Sequence, residues 1–125
     1  KKTDVKSVDV DILGKQSRIT QMSQSVKFYQ TEEATDKVKG MTLRLGFYTS
    51  GGEIISDSVT LTFDSTSADS QQREQKHTFK FKNVISKLNG QTVTLRMERQ
   101  VDNTTQFALY REEEYKVSVM FEAEW

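Results

Sequence analysis

The feature that most constrains this chain is an alternation of apolar and polar residues with a period of two, repeated from end to end. Met41, Leu43, Leu45 and Phe47 alternate with Thr42 and Arg44. Val59, Leu61 and Phe63 alternate with Thr60 and Thr62. Phe79 and Phe81 flank Lys80, with Lys82 continuing the polar register. Val93, Leu95 and Met97 alternate with Thr94, Arg96 and Glu98. Val8, Val10 and Ile12 near the start, Met22, Val26 and Phe28 after Ile19, and Tyr115, Val117, Val119 and Phe121 at the end follow the same rule. Successive side chains of a strand point to opposite faces, so each segment has one apolar and one wet face. Antiparallel sheets have this pattern and doubly buried parallel sheets do not.

About seven strands result, at the spacing of a sandwich. The expected fold is all-β, an immunoglobulin-like antiparallel β-sandwich, with a jelly roll as the alternative. A length of 125 residues suits one domain spanning 1–125. The expected core is Val10, Ile12, Val26, Phe28, Met41, Leu43, Leu45, Val59, Leu61, Phe63, Phe79, Phe81, Val93, Leu95, Val117, Val119 and Phe121. Turn residues punctuate the strands: Ser50-Gly51-Gly52-Glu53, Asn89-Gly90 and Asp102-Asn103. Ser65 to Gln75 is a longer polar connection suited to carrying the chain between sheets. Ser70 to Lys76 could form one polar helical turn, without an apolar stripe. Arg111 and Glu113 interrupt the apolar register of the last segment, which predicts a bulge or break between Tyr110 and Glu114. The chain has no proline, so edges must be guarded by charge, for which Lys80, Lys82, Lys116 and Arg96 are candidates.

The chemistry-bearing residues are few. There is no cysteine, hence no disulfide or thiolate chemistry. His77 is the single histidine and shares the parity of Phe79 and Phe81, which makes it a partly buried structural residue. No GxSxG, HExxH or phosphate-cradling motif occurs. Asp64 and Asp69, in a hydroxyl-rich loop with Ser65, Thr66 and Ser70, are the candidates for a hard-cation site. The same short polar residues more simply satisfy their own backbone as Asx and ST turns, and Asp57 would join them only if the fold brought it near. No cofactor is expected. Glu112-Glu113-Glu114 reads as a solvated charge run.

Arg73, Lys76, Lys80, Lys82, Arg96 and Arg99 could form a basic stripe, against which stands cross-strand pairing with Glu74 and Glu98. Tyr48 and Tyr110 break parity and are the aromatics expected at the surface. Tyr48, Tyr110, Lys80, Lys82 and Arg96 are therefore the candidate binding residues. Formal net charge is zero, so a nucleic-acid partner is not indicated by charge surplus. No apolar run approaches a membrane span. Asn103-Thr104-Thr105 fits the glycosylation pattern and equally well a turn. The chain shows no signal-peptide pattern, and opening on Lys1-Lys2 suggests a fragment of a longer protein.

The run Ile55-Ser56-Asp57-Ser58-Val59-Thr60-Leu61-Thr62-Phe63-Asp64-Ser65-Thr66-Ser67, continuing through Arg73-Glu74-Gln75-Lys76, resembles the C-terminal region of PglZ-type proteins. These are alkaline-phosphatase-superfamily components of the BREX phage-defence systems. Gly46-Phe47-Tyr48 before a glycine-containing hairpin is similar too, as is the aromatic and acidic tail from Tyr115 to Trp125. The resemblance implies a bacterial, cytoplasmic parent with a metal-binding phosphatase-like domain upstream. It assigns no catalytic residue to this chain. The expected role is a non-catalytic accessory or docking domain, whose partners are that upstream domain or other defence proteins. The alternative is a carbohydrate- or nucleic-acid-binding module.

Overall fold

The computed structural model describes residues 5–119. Ten strands follow in order: β1 (Lys6–Ser7), β2 (Val10–Leu13), β3 (Arg18–Ile19), β4 (Ser23–Gln30), β5 (Val38–Lys39), β6 (Met41–Tyr48), β7 (Val59–Phe63), β8 (Glu74–Lys80), β9 (Thr92–Gln100) and β10 (Phe107–Val117). Seven of them have four or more residues, and each covers or overlaps one alternating segment of the sequence. The other three are two-residue pieces with too few side chains to show a period.

The long strands form two sheets. One has the order β2-β4-β8 and the other β3-β10-β9-β6-β7, while β1 and β5 pair separately. Counting only long strands, the first, second and fifth face the seventh, sixth, third and fourth. This is the immunoglobulin-like arrangement, with one displacement. In the constant-type domain the fourth strand lies beside the fifth, whereas β7 here sits beside β6. A jelly roll would need eight strands in two Greek keys. All long strands pair antiparallel, but β10–β3 and β1–β5 are short parallel pairs, an exception to the expected antiparallel sheet.

Thirteen of the expected core residues are buried, from Val10 to Val119. Ile12, Val59 and Leu61 are only half-buried, because β2 and β7 lie at sheet edges with packing on one side. Phe121 lies outside the described residues. Phe47, absent from the expected core, is at its centre. Its ring meets Phe79, Phe81 and Tyr115 edge to face at 5.1–5.2 Å between centroids, a geometry that suits the aromatic quadrupole. Val8, Ile19, Ala34, Ile55, Ile85, Met97 and Tyr115 join it in the interior.

The turns fall where glycine and asparagine stand. Gly52 and Gly90 have φ of 90° and 87°, and Asn103 has 62°. The helical turn covers Ser70–Arg73 and stops before Glu74, where β8 begins. Asn83–Leu88 forms a second 3-10 turn that buries Ile85. In β10 the register shifts between Leu109 and Arg111, so Tyr110 is the extra residue. The strand therefore bulges slightly earlier than expected and continues without a break to Val117.

Candidate functional site

The residues singled out from sequence are distributed over both sheets rather than gathered in one place. Lys80 is on β8 in the three-stranded sheet, with Lys82 just beyond it, and both are exposed. Arg96 is on β9 in the other sheet. The basic stripe is therefore not formed, because β8 pairs with β4 and β9 with β6 and β10. Of the proposed edge guards, Lys80 does sit on an edge strand, whereas Arg96 and Lys116 belong to strands with neighbours on both sides.

Arg96 takes part in a row across the outer face of the larger sheet. Arg44 Nη2 lies 2.9 Å and Arg96 Nε 3.3 Å from the Glu98 carboxylate. The Arg44 guanidinium sits 4.2 Å over the Phe107 ring, and that of Arg96 5.9 Å over Tyr48. Each cation thus has an anion and an aromatic face already, which leaves little surplus for a ligand. Tyr48 is half-buried under this row, contrary to the expectation that it is exposed. Tyr110 is half-buried as well. Its hydroxyl donates to the Asp9 carboxylate and accepts from the Val10 N–H at 3.1 Å. The bulge places this ring at the side of the sandwich, where β2 takes it up.

Asp64 and Asp69 have separate surroundings. Asp69 Oδ1 accepts the Gln71 N–H at 3.0 Å, capping the turn that follows. Asp64 lines an open groove of about 590 Å3 whose far wall is Asp102 to Thr105. Among the described residues no group of three or more His, Asp or Glu side chains could hold a metal ion. Arg73, a candidate for the basic stripe, is buried. Its guanidinium donates to the carbonyls of Gln30 and Ser67 at 3.0 Å and to the Tyr29 hydroxyl at 3.2 Å.

Asp57 joins His77 instead of the aspartates. His77 Nε2 is 2.7 Å from Asp57 Oδ2, and the His77 ring packs edge-on to Phe79 at 4.5 Å. Asp57 Oδ1 accepts the Lys80 N–H at 2.7 Å. Burial pushes the Asp57 carboxyl upward, but the Lys80 amide and the His77 ring outweigh it, and the group lies below the ordinary carboxylate range. This pair closes the side of the sandwich where Ser56 bridges to Phe81. His77 is thus half-buried and has a definite partner.

The surface that sequence reasoning missed is beside the β9–β10 hairpin. A groove of about 490 Å3 is lined by Arg99, Val101, Asp102, Ala108, Leu109 and Tyr110. Leu109 is 53% and Val101 42% exposed, among the most exposed large apolar side chains described. Leu109 had a visible signal, since it shares parity with Phe107 in an amphipathic strand. Val101 had none, as a lone apolar residue next to a turn.

Fold and surfaces together define an all-β sandwich, immunoglobulin-like in strand order, with an apolar groove beside a hairpin. Beyond that class, no family model matches the chain and no curated protein matches it. Among the described residues no helix is long and apolar enough to cross a membrane.

Proposed function

We propose that this is a non-catalytic docking domain that binds another protein surface through the β9–β10 hairpin. The exposure of Leu109 and Val101 on the rim of an apolar groove carries this reading. Contiguous exposed apolar surface is costly to leave wet and typically marks an interaction site. The groove has the right composition for one: aliphatic side chains, a tyrosine, and Arg99 and Asp102 at its margin. The resemblance at Ile55 to Lys76 supplies the partner, an upstream catalytic domain of a PglZ-type parent. A bacterial, cytoplasmic setting belongs to the same proposal.

Produced as a separate chain, that upstream domain should bind the sandwich. Leu109→Asp combined with Val101→Asp should weaken the complex by at least about tenfold, since apolar anchors dominate such interfaces. The fold should be unaffected, because both side chains are exposed. Binding that ignores both substitutions, or metal-dependent hydrolysis by the clean domain, would contradict the proposal.

A further inference from the structure

Most strand edges of this sandwich are covered or charged. The Val10 N–H and C=O of β2 meet the Tyr110 hydroxyl and the Arg111 guanidinium. The end of β8 meets Asp57, and the strand carries exposed Lys76 and Lys80. Beyond the β3 pairing at Lys116 and Val117, β10 carries Glu112 and Glu114. These are the usual devices against edge-to-edge pairing.

The middle of the β7 edge has none of them. From Ser58 to Phe63 there is no charge and no proline, in a chain where 29% of residues are charged. The Ile55 N–H donates to the Phe47 carbonyl at 2.9 Å, so the odd-numbered residues of β6 turn their backbone groups toward β7. Leu45–Val59 and Leu43–Leu61 are then the hydrogen-bonded pairs of the β6–β7 ladder. The backbone groups of Ser58, Thr60 and Thr62 consequently face away from the sheet. The Thr62 carbonyl accepts from Gln75 Nε2 at 2.7 Å, which agrees with that direction. For the N–H and C=O of Thr60 no partner on that side is found among the described residues.

We infer that β7 pairs antiparallel with β7 of a second copy of the chain, around a twofold axis at Thr60. Such an axis brings each position near its own kind, so any charge on the edge would repel itself. The β8 edge, with Lys76 and Lys80, could not be used this way. At β7, Thr60 would face Thr60, Leu61 would face Val59, and Thr62 would face Ser58 once the Gln75 amide gives up the Thr62 carbonyl, all neutral and mostly β-branched. Only edge contacts are made, so the dimer is weak and concentration-dependent. The surface is distinct from the hairpin groove, and the inference does not depend on docking there.

The test uses sedimentation equilibrium from micromolar to millimolar protein. The chain should pass from monomer to dimer, and Thr60→Lys should weaken association at least about tenfold by placing like charges at the axis. Its melting temperature in dilute protein should fall only slightly, since the new lysine stands opposite Arg44 in the ladder but breaks no hydrogen bond within the sheet. The absence of native cysteine permits a second readout. Hydrogen-bonded antiparallel pairs hold their Cα atoms about 5.5 Å apart, within disulfide reach. Under mild oxidation Thr60→Cys should cross-link to a dimer, and Lys76→Cys on the β8 edge should not. Leu109→Asp should leave the dimer intact. A monomer throughout the range, with Thr60→Cys cross-linking no faster than Lys76→Cys, would overturn the inference and leave this edge to a strand of another protein.

Discussion

The two sides of the sandwich are closed by different chemistry. Along the β2–β10 side, Arg111 spans the gap. It donates to the Val10 carbonyl at 3.0 Å, to Asp11 Oδ1 at 2.9 Å and to Glu113 Oε2 at 3.0 Å. Lys15 also pairs with Glu113, and Tyr110 with Asp9. Along the β7–β8 side the links are shorter-range and mostly involve the main chain. Asp57 joins His77 and the Lys80 amide, Gln75 joins the Thr62 carbonyl, and Ser56 Oγ accepts the Phe47 N–H at 2.9 Å while donating to the Asp57 carbonyl at 2.8 Å. The first side ties two strands with long charged side chains and leaves little backbone open. The second ties the end of β8 to the chain entering β7 and leaves the middle of β7 bare. The difference teaches that the polar residues of this domain serve mainly to shut the sandwich, and that its openings are local.

The largest effect is expected on the guanidinium side. Arg111→Ala removes three hydrogen bonds and leaves the partly buried Glu113 with Lys15 as its remaining cation, which should cost about 2 kcal/mol in chemical denaturation. On the other side, Ser56→Ala leaves the buried Phe47 N–H without its acceptor, for a loss of about 1 kcal/mol. If Ser56→Ala cost more than Arg111→Ala, the ranking of the two sides would be reversed.

Acid should act on both sides together. The Ile12 amide and the Arg111 guanidinium hold Asp11 below the ordinary carboxylate value, and Asp57 is also lowered. A lowered carboxyl stabilises the fold fully above its ordinary value of 3.8, and that contribution is lost as pH falls through the lowered folded value. Asp57→Asn and Asp11→Asn should each flatten the acid limb of a stability–pH curve. Alkali acts elsewhere, in the shared core. Burial, with Glu113 nearby, raises the Tyr115 phenol from 10.0 to about 12. Its contribution is complete below pH 10 and is lost as pH rises toward about 12, so Tyr115→Phe should remove that part of the alkaline transition. The smallest effect concerns the outer face of the three-stranded sheet. Lys27 stands opposite Lys76 in the ladder, and Lys76→Glu should stabilise by about 0.3 kcal/mol.

Much of this architecture was legible because alternation is a direct imprint of a half-wet sheet. The segments around Leu43, Leu61 and Leu95 each became a strand in the expected register. What alternation does not encode is which strand lies beside which. Arg96 and Lys80 look equivalent in sequence, yet one became the centre of a five-stranded sheet and the other an edge. Arg111 and Glu113 looked like a fault in the last strand. They are instead inward-facing charges that pair with each other and with β2. The Asp57–His77 contact spans 20 positions and depends on the crossing at Ser56, so no local pattern announces it. The parity of Tyr48 and Tyr110 suggested exposure, but a neighbouring arginine covers one and β2 claims the other.

Hydrogen exchange at single backbone amides tests the contrast between the two sides most directly. In dilute protein the Thr60 amide should exchange nearly as fast as in an unfolded chain. The amides of Val59, Leu61 and Val10 should be protected in the same sample. A Thr60 amide as protected as Leu61 at the lowest concentration would mean that the β7 edge is already covered within one chain, and would contradict the account.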